Sequence, residues 1–203
     1  MNSTQTRTAI LGTMSDLHRQ PISYDLNCLK QIVIDLSPDL LCAEITREVW
    51  ENNDLAQTSL EVREALAPVI ASTDIVLIPV APNPKQYVDF TPDSGWRHRI
   101  VRNFDRLLRW GQIQANDIKS VNGVGFGAFC HTVCMLTEMF WTKNDRVAWE
   151  KQNHELAENI VRAVQRDSGR RVLVAVQCQR LHRLIPLLQA HNNLFQIVGY
   201  QDL

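Results

Sequence analysis

Apolar runs of strand length punctuate the chain at residues 8–11, 40–44, 75–80 and 172–176, with a weaker one at 195–200. Each is nearly continuous rather than alternating, the pattern of strands covered on both faces. Between the first two runs the period changes: Leu26, Leu29, Ile32, Val33 and Leu36 recur at helical spacing, and Ser37-Pro38-Asp39 then stops the helix. The result is a β-α-β unit, whose crossover is expected to be right-handed. A second helix is expected over 59–71, with Leu60, Leu66 and Ile70 as its inward stripe. Further helices are expected over 96–110, 128–141 and 145–167, and Gly169 reads as the turn into the fourth strand. Residues 82–95 hold several prolines and polar turn formers and read as a long surface loop. No repeat or linker interrupts the pattern. The chain is therefore expected to be a single α/β domain over 1–203, with a largely parallel central sheet of about five strands and helices on both faces.

In parallel sheets ligands bind at the carboxyl ends of the strands, where loops and helix N-termini converge. That rule nominates residues 12–18, 44–47, 81–84 and 177–182 as the borders of one cleft.

Composition narrows the partners. A chain of 203 residues buries enough surface to fold without disulfides or a structural metal. Hydrophobic residues at 45% and charged residues at 21% argue against disordered and membrane-spanning classes. A net charge of -1 supplies no field for nucleic acid or an anionic membrane, so neither is an expected partner. Arg97, His98, Arg99, Arg102, Arg106 and Arg109 fall at helical spacing and read as a solvated face. The apolar run near the N-terminus is too short for a signal-peptide core, and a cytoplasmic protein is expected. The five cysteines contain no CxxC pair and read as free, mostly buried thiols.

Four segments carry a resemblance to a known family. Ile10-Leu11-Gly12-Thr13 ends the first strand, and Pro38-Asp39-Leu40-Leu41-Cys42-Ala43-Glu44 forms the second. Gln152-Asn153-His154-Glu155-Leu156-Ala157-Glu158-Asn159-Ile160 lies on the last long helix, and residues 171–184 hold the fourth strand with the turn after it. In this order they resemble the TraB/TIKI superfamily, which includes erythromycin esterases and haem-binding uptake proteins. The resemblance implies an α/β fold and a hydrolase-related pocket in which Glu44 holds the place of the family glutamate. It also places Thr13, Ser15, Asn153, Gln177 and Arg180 around that pocket. Two family histidines are replaced, the first by Ser15, with Asp16 next and His18 displaced downstream, and the second by Arg180. Arginine stays protonated and repels a cation, so the family's metal site is expected to be lost.

Several chemistries stay open on the residues themselves. A carboxylate at the end of a buried strand needs a partner or a shifted pKa, so Glu44 reads either as a general base or as an ion pair with Arg47 or Arg180. Cys178 and His182, four residues apart at a helix start, pose a thiolate and its base, with Glu44 or Asp16 as orienter. His18, His154 and His182 with Asp16 and Glu44 pose a displaced divalent-metal site, although no cofactor is expected. Cys130, His131 and Cys134 read as core packing. Gly123-Val124-Gly125-Phe126-Gly127 lacks the Lys-Ser/Thr of a phosphate loop and reads as a flexible loop or a close helix approach. Met135, Met139, Phe140 and Trp141 read as core or as a homodimer contact.

The expected function is a TraB/TIKI-like pocket that has lost the metal site and binds a small molecule, a peptide or a partner. A small anion held by Arg180 and Asn153 is one such ligand. The alternative is an active hydrolase of a peptide, ester or amide bond, metal-dependent or Cys-His.

Overall fold

The computed structural model describes residues 5–82 and 95–203, so most of the expected loop over 82–95 lies outside the described residues. Strands β1 (Thr6–Thr13), β2 (Leu40–Ala43), β3 (Val76–Pro79), β4 (Arg171–Gln177) and β5 (Phe195–Val198) form one all-parallel sheet in the order β3-β2-β4-β1-β5. The sheet is the α/β architecture that the apolar runs predict. β1 and β4 pair along their whole length, from Arg7 opposite Arg171 to Thr13 opposite Gln177, and β2 flanks β4 with Ala43 opposite Ala175. The carboxyl ends of β1, β4 and β2 therefore stand side by side.

Alternation along the strands splits the core into two layers. Ala9, Leu11, Leu41, Ala43, Leu173 and Ala175 face α1 (Leu26–Leu36) and the helical segment around Val62, Leu66 and Val69. Leu40, Cys42, Val172, Val174 and Val176 face α7 (Lys143–Arg166) and α8 (Leu181–Gln189), through Leu156, Ile160, Leu184 and Leu188. Full cover on both faces does not extend to the edge, where Val76 of β3 is half exposed.

Local chemistry sets the helix ends. The Asp25 carboxylate accepts from the Cys28 N–H at the start of α1, and Thr142 with Asp145 forms a reciprocal capping box at the start of α7. Gly169, with φ +82°, makes the left-handed turn into β4 that the sequence predicts there.

The structure corrects several boundaries. Two short helices, α2 (Arg47–Glu51) and α5 (Ile118–Val121), have no counterpart in the hydrophobic pattern. The helix expected over 59–71 contains a π-helical stretch, Val62–Leu66, followed by α3 (Ala67–Ala71). The helix expected over 96–110 runs on to Ala115 as α4 (Trp96–Ala115). The glycine-rich segment is not a loop, because α6 (Val124–Met139) begins there and takes Gly125 and Gly127 into its first turn. Phe126, Cys130 and Val133, three to four residues apart, pack on Leu108 of α4, and this contact outweighs the low helix propensity of glycine. Among the described residues no helix is long and apolar enough to cross a membrane.

Candidate functional site

Glu44 follows β2 directly and Arg180 ends the 3-10 turn Cys178–Arg180 that follows β4. Arg180 Nε lies 2.6 Å from Glu44 Oε1, and both side chains are buried. The other carboxylate oxygen, Oε2, accepts from the Gln177 backbone N–H at 3.2 Å. Helix α7 completes the arrangement. Its Trp149 ring lies under the Arg180 guanidinium, 4.3 Å from Cζ, and Asn153 Oδ1 accepts from Nη1 at 3.2 Å. Trp149 and Asn153 are one turn apart, and Asn153 Nδ2 donates to the Trp149 carbonyl, which aims the amide oxygen at Arg180. Glu44 is thus a carboxylate whose ionic partner is Arg180, while its one hydrogen bond among the described residues comes from the Gln177 N–H. Arg47 instead sits on the α2 surface, 3.9 Å from Glu51.

A second carboxylate shares this end of the sheet. Glu61, at the helix start just before the π stretch, is buried, and its Oε1 accepts from Thr13 Oγ1 at 2.8 Å. Its Oε2 is buried without a hydrogen-bond partner. Glu61 and Glu44 border one cleft of about 500 Å³ together with Ser15, Thr46, Ser59 and Gln177. Ser15 holds the left-handed backbone region, with φ 51°, where β1 gives way to the 3-10 turn Ser15–Arg19. With Glu44 balanced by Arg180, Glu61 is the carboxylate lining this cleft that has no ion pair among the described residues.

The remaining sequence candidates are held elsewhere. His18 is buried: its Nδ1 faces the Tyr24 carbonyl at 2.7 Å and its Nε2 accepts from the Met14 N–H at 3.0 Å. Both ring nitrogens are used, so Nδ1 carries the proton and His18 clamps the turn after β1 rather than acting as a base or ligand. Burial pulls its pKa below the usual imidazole value, against the hydrogen bond to Tyr24 and the nearby charges of Glu61 and Asp25. Asp16 is spent on an exposed ion pair with Arg109, 2.5 Å away.

Cys178 is buried, and its Sγ accepts from Gln112 Nε2 at 3.1 Å. A hydrogen bond from Cys130 lowers its pKa, which burial opposes and Gln112 assists. His182 lies four residues on, but its Nε2 faces Glu138 Oε1 at 3.4 Å. Cys178 and His182 do border a common cavity of about 360 Å³, on lining residues that the Glu44 cleft does not share. The thiol's own hydrogen bond comes from Gln112, and the imidazole's carboxylate is Glu138 instead of Glu44 or Asp16.

The residues do not fit a divalent metal at this place. Both oxygens of Glu44 are engaged, Arg180 puts a fixed positive charge beside it, His18 has no free nitrogen and His154 is exposed on α7. Among the described residues no group of three or more His, Cys, Asp or Glu is arranged to hold an ion, Cys130, His131 and Cys134 included. Comparison with known protein families, curated proteins and solved structures finds no match for the chain.

Sequence reasoning missed Glu61, Trp149, Gln112 and Glu138. A signal for Glu61 was present, since Thr58-Ser59-Leu60-Glu61 opens a helix that starts beside the strand ends, but the T-x-x-E spacing is that of a capping box. The Glu61 side chain accepts from Thr13 instead.

Proposed function

We propose that the chain is a TraB/TIKI-like domain whose cleft at the strand ends binds a small hydroxylated amine without catalysing its conversion. The observation that carries this reading is the ion pair of Arg180 with Glu44. It engages the carboxylate that the family resemblance nominates for chemistry and sets a fixed cation in the place of the second family histidine. It also turns the guanidinium away from an anionic ligand, because Glu44, Asn153 and the Trp149 ring already surround it.

What remains in the cleft is acceptor chemistry. Glu61 Oε2 is buried with no donor among the described residues, and a buried acceptor left unsatisfied costs about 1–3 kcal/mol, on the order of the net gain from supplying one charge-assisted hydrogen bond. An ammonium group supplies both the donor and the countercharge. Ser15, Thr46 and Ser59 on the walls suit the hydroxyl groups of an amino sugar or amino alcohol. The test is thermal unfolding with glucosamine against glucose, which share a ring and differ in the amine. Glucosamine is expected to raise the unfolding temperature and glucose to leave it unchanged; equal shifts for both contradict the reading.

One observation favours the hydrolase alternative. Glu61 borders the cleft with Ser15, and its buried Oε2 is a carboxylate oxygen without a hydrogen-bond partner among the described residues, the group from which a general base acting on water or a hydroxyl would be made. Turnover of small ester or amide substrates that disappears in Glu61→Gln, with the fold intact, would establish that reading over simple binding.

A further inference from the structure

The cavity of about 360 Å³ on the other side of the β4 turn differs in kind from the polar cleft. Phe126, Leu181, Ile185 and Pro186 are among its walls, and among the described residues no Lys, Arg, Asp or Glu side chain borders it. Its polar groups are mostly engaged. Asn122 Oδ1 accepts from the Gly12 N–H and its Nδ2 donates to the Ile118 carbonyl, while the Cys178 thiol accepts from Gln112. His131 is exposed and lies edge-on to His182, with ring centroids 5.2 Å apart. Among the described residues, one buried side-chain nitrogen or oxygen of this wall has no partner: Nδ1 of His182, whose side chain is 4% exposed.

The state of that nitrogen follows from its other side. Glu138 is buried, with Oε1 accepting from Trp149 Nε1 at 3.1 Å and Oε2 paired with Arg183. Burial opposes the charge of Glu138, but hydrogen bonds from His182 and Arg183 outweigh it, and its pKa lies below the usual carboxylate range. An ionised carboxylate only accepts, so the His182 nitrogen facing it, Nε2, carries the hydrogen. In the neutral ring Nδ1 is then a bare, buried acceptor on a residue that lines the apolar cavity.

We propose that this cavity binds a small uncharged aromatic or aliphatic alcohol, whose hydroxyl donates to His182 Nδ1 while its hydrocarbon body fills the apolar walls. A wall without formal charge selects against ions, since a buried charge without a partner is disfavoured. A lone acceptor selects a donor, because an ether or ketone leaves Nδ1 unsatisfied. The volume suits more than one ring: an apolar cavity of roughly 150 Å³ holds benzene. A bicyclic phenol is therefore the probe of matching size. The site is independent of the cleft at Glu44 and Glu61, and holds or fails separately from it.

The experiment is titration calorimetry of the full chain with 2-naphthol and with 2-methoxynaphthalene, which keeps the rings and lacks the donor. 2-Naphthol is expected to bind at least tenfold tighter. His182→Phe is expected to remove that preference, and Ile185→Trp, which fills the cavity, to weaken both ligands at least tenfold. Nitrogen NMR of the imidazole in the unmodified protein gives a readout that needs no variant: the His182 Nδ1 resonance is expected to move on adding 2-naphthol and to stay unmoved with the ether. Equal affinity for the two probes, undiminished binding to a folded Ile185→Trp protein, or an Nδ1 resonance unmoved by 2-naphthol overturns the proposal.

Discussion

Glu44 and Arg180 lie 136 residues apart in the chain, yet Nε of one stands 2.6 Å from Oε1 of the other, with both side chains withdrawn from solvent. The parallel pairing of β2 with β4 makes this contact, because it brings the residues that follow the two strands to the same edge. Removing one partner strands the other charge in the interior. Glu44→Gln or Arg180→Met is expected to lower stability by about 3–5 kcal/mol. The double variant is expected to lose less than the sum of the two. Denaturant unfolding of the four proteins checks this through the coupling energy, and additive losses would show that the contact is energetically idle.

The buried imidazole of His18 makes stability depend on pH. Its pKa in the folded chain is below the usual value of 6.5, chiefly through burial, so the unfolded chain takes up the proton first as pH falls. The contribution is fully present above about 6.5 and is lost as pH drops from there through the lowered folded value. Thermal midpoints are expected to fall between pH 7 and pH 5, and less steeply in His18→Phe. That variant is itself expected to cost about 2–4 kcal/mol at pH 8, because it leaves the buried Met14 N–H and Tyr24 carbonyl without partners.

Gly12 marks a close approach rather than a flexible point. A Cβ there would lie 2.9 Å from Leu181 Cδ1 and 3.1 Å from Cys178 Cβ, while the Gly12 N–H is held by Asn122 and its carbonyl by the Tyr24 hydroxyl. Gly12→Ala is expected to destabilise the chain by about 1–3 kcal/mol, and Gly12→Val by more. Chemical unfolding midpoints decide it, and a neutral or stabilised Gly12→Val would contradict the packing described.

The sheet was legible because β1, β2 and β4 are covered on both faces and so read as unbroken apolar runs. The edge strand β3 has the same kind of run but an exposed Val76, since sequence cannot tell a central strand from a peripheral one. The facing of Glu44 and Arg180 was legible only through the family resemblance and the rule that loops after parallel strands share a cleft: Glu44 directly follows β2, but Arg180 ends the 3-10 turn that comes after β4. Glu61 was not, because its T-x-x-E context has a local explanation that its contact with Thr13, 48 residues away in sequence, overrides. The helix through Gly125 and Gly127 was hidden by its composition and is held by Cys130 and Val133 against α4. The Cys178 and His182 spacing put both residues on one cavity, but nothing local announces that Gln112 and Glu138 take their hydrogen bonds.

The proposed division of labour between the two carboxylates, Glu44 paired with Arg180 and Glu61 left to bind the amine, is tested most directly by titration calorimetry of glucosamine into the unmodified protein and into Glu61→Gln. Saturable binding to the former, weakened at least tenfold in the variant, is the expected result. The same affinity in both proteins, or none in a correctly folded unmodified chain, would contradict it.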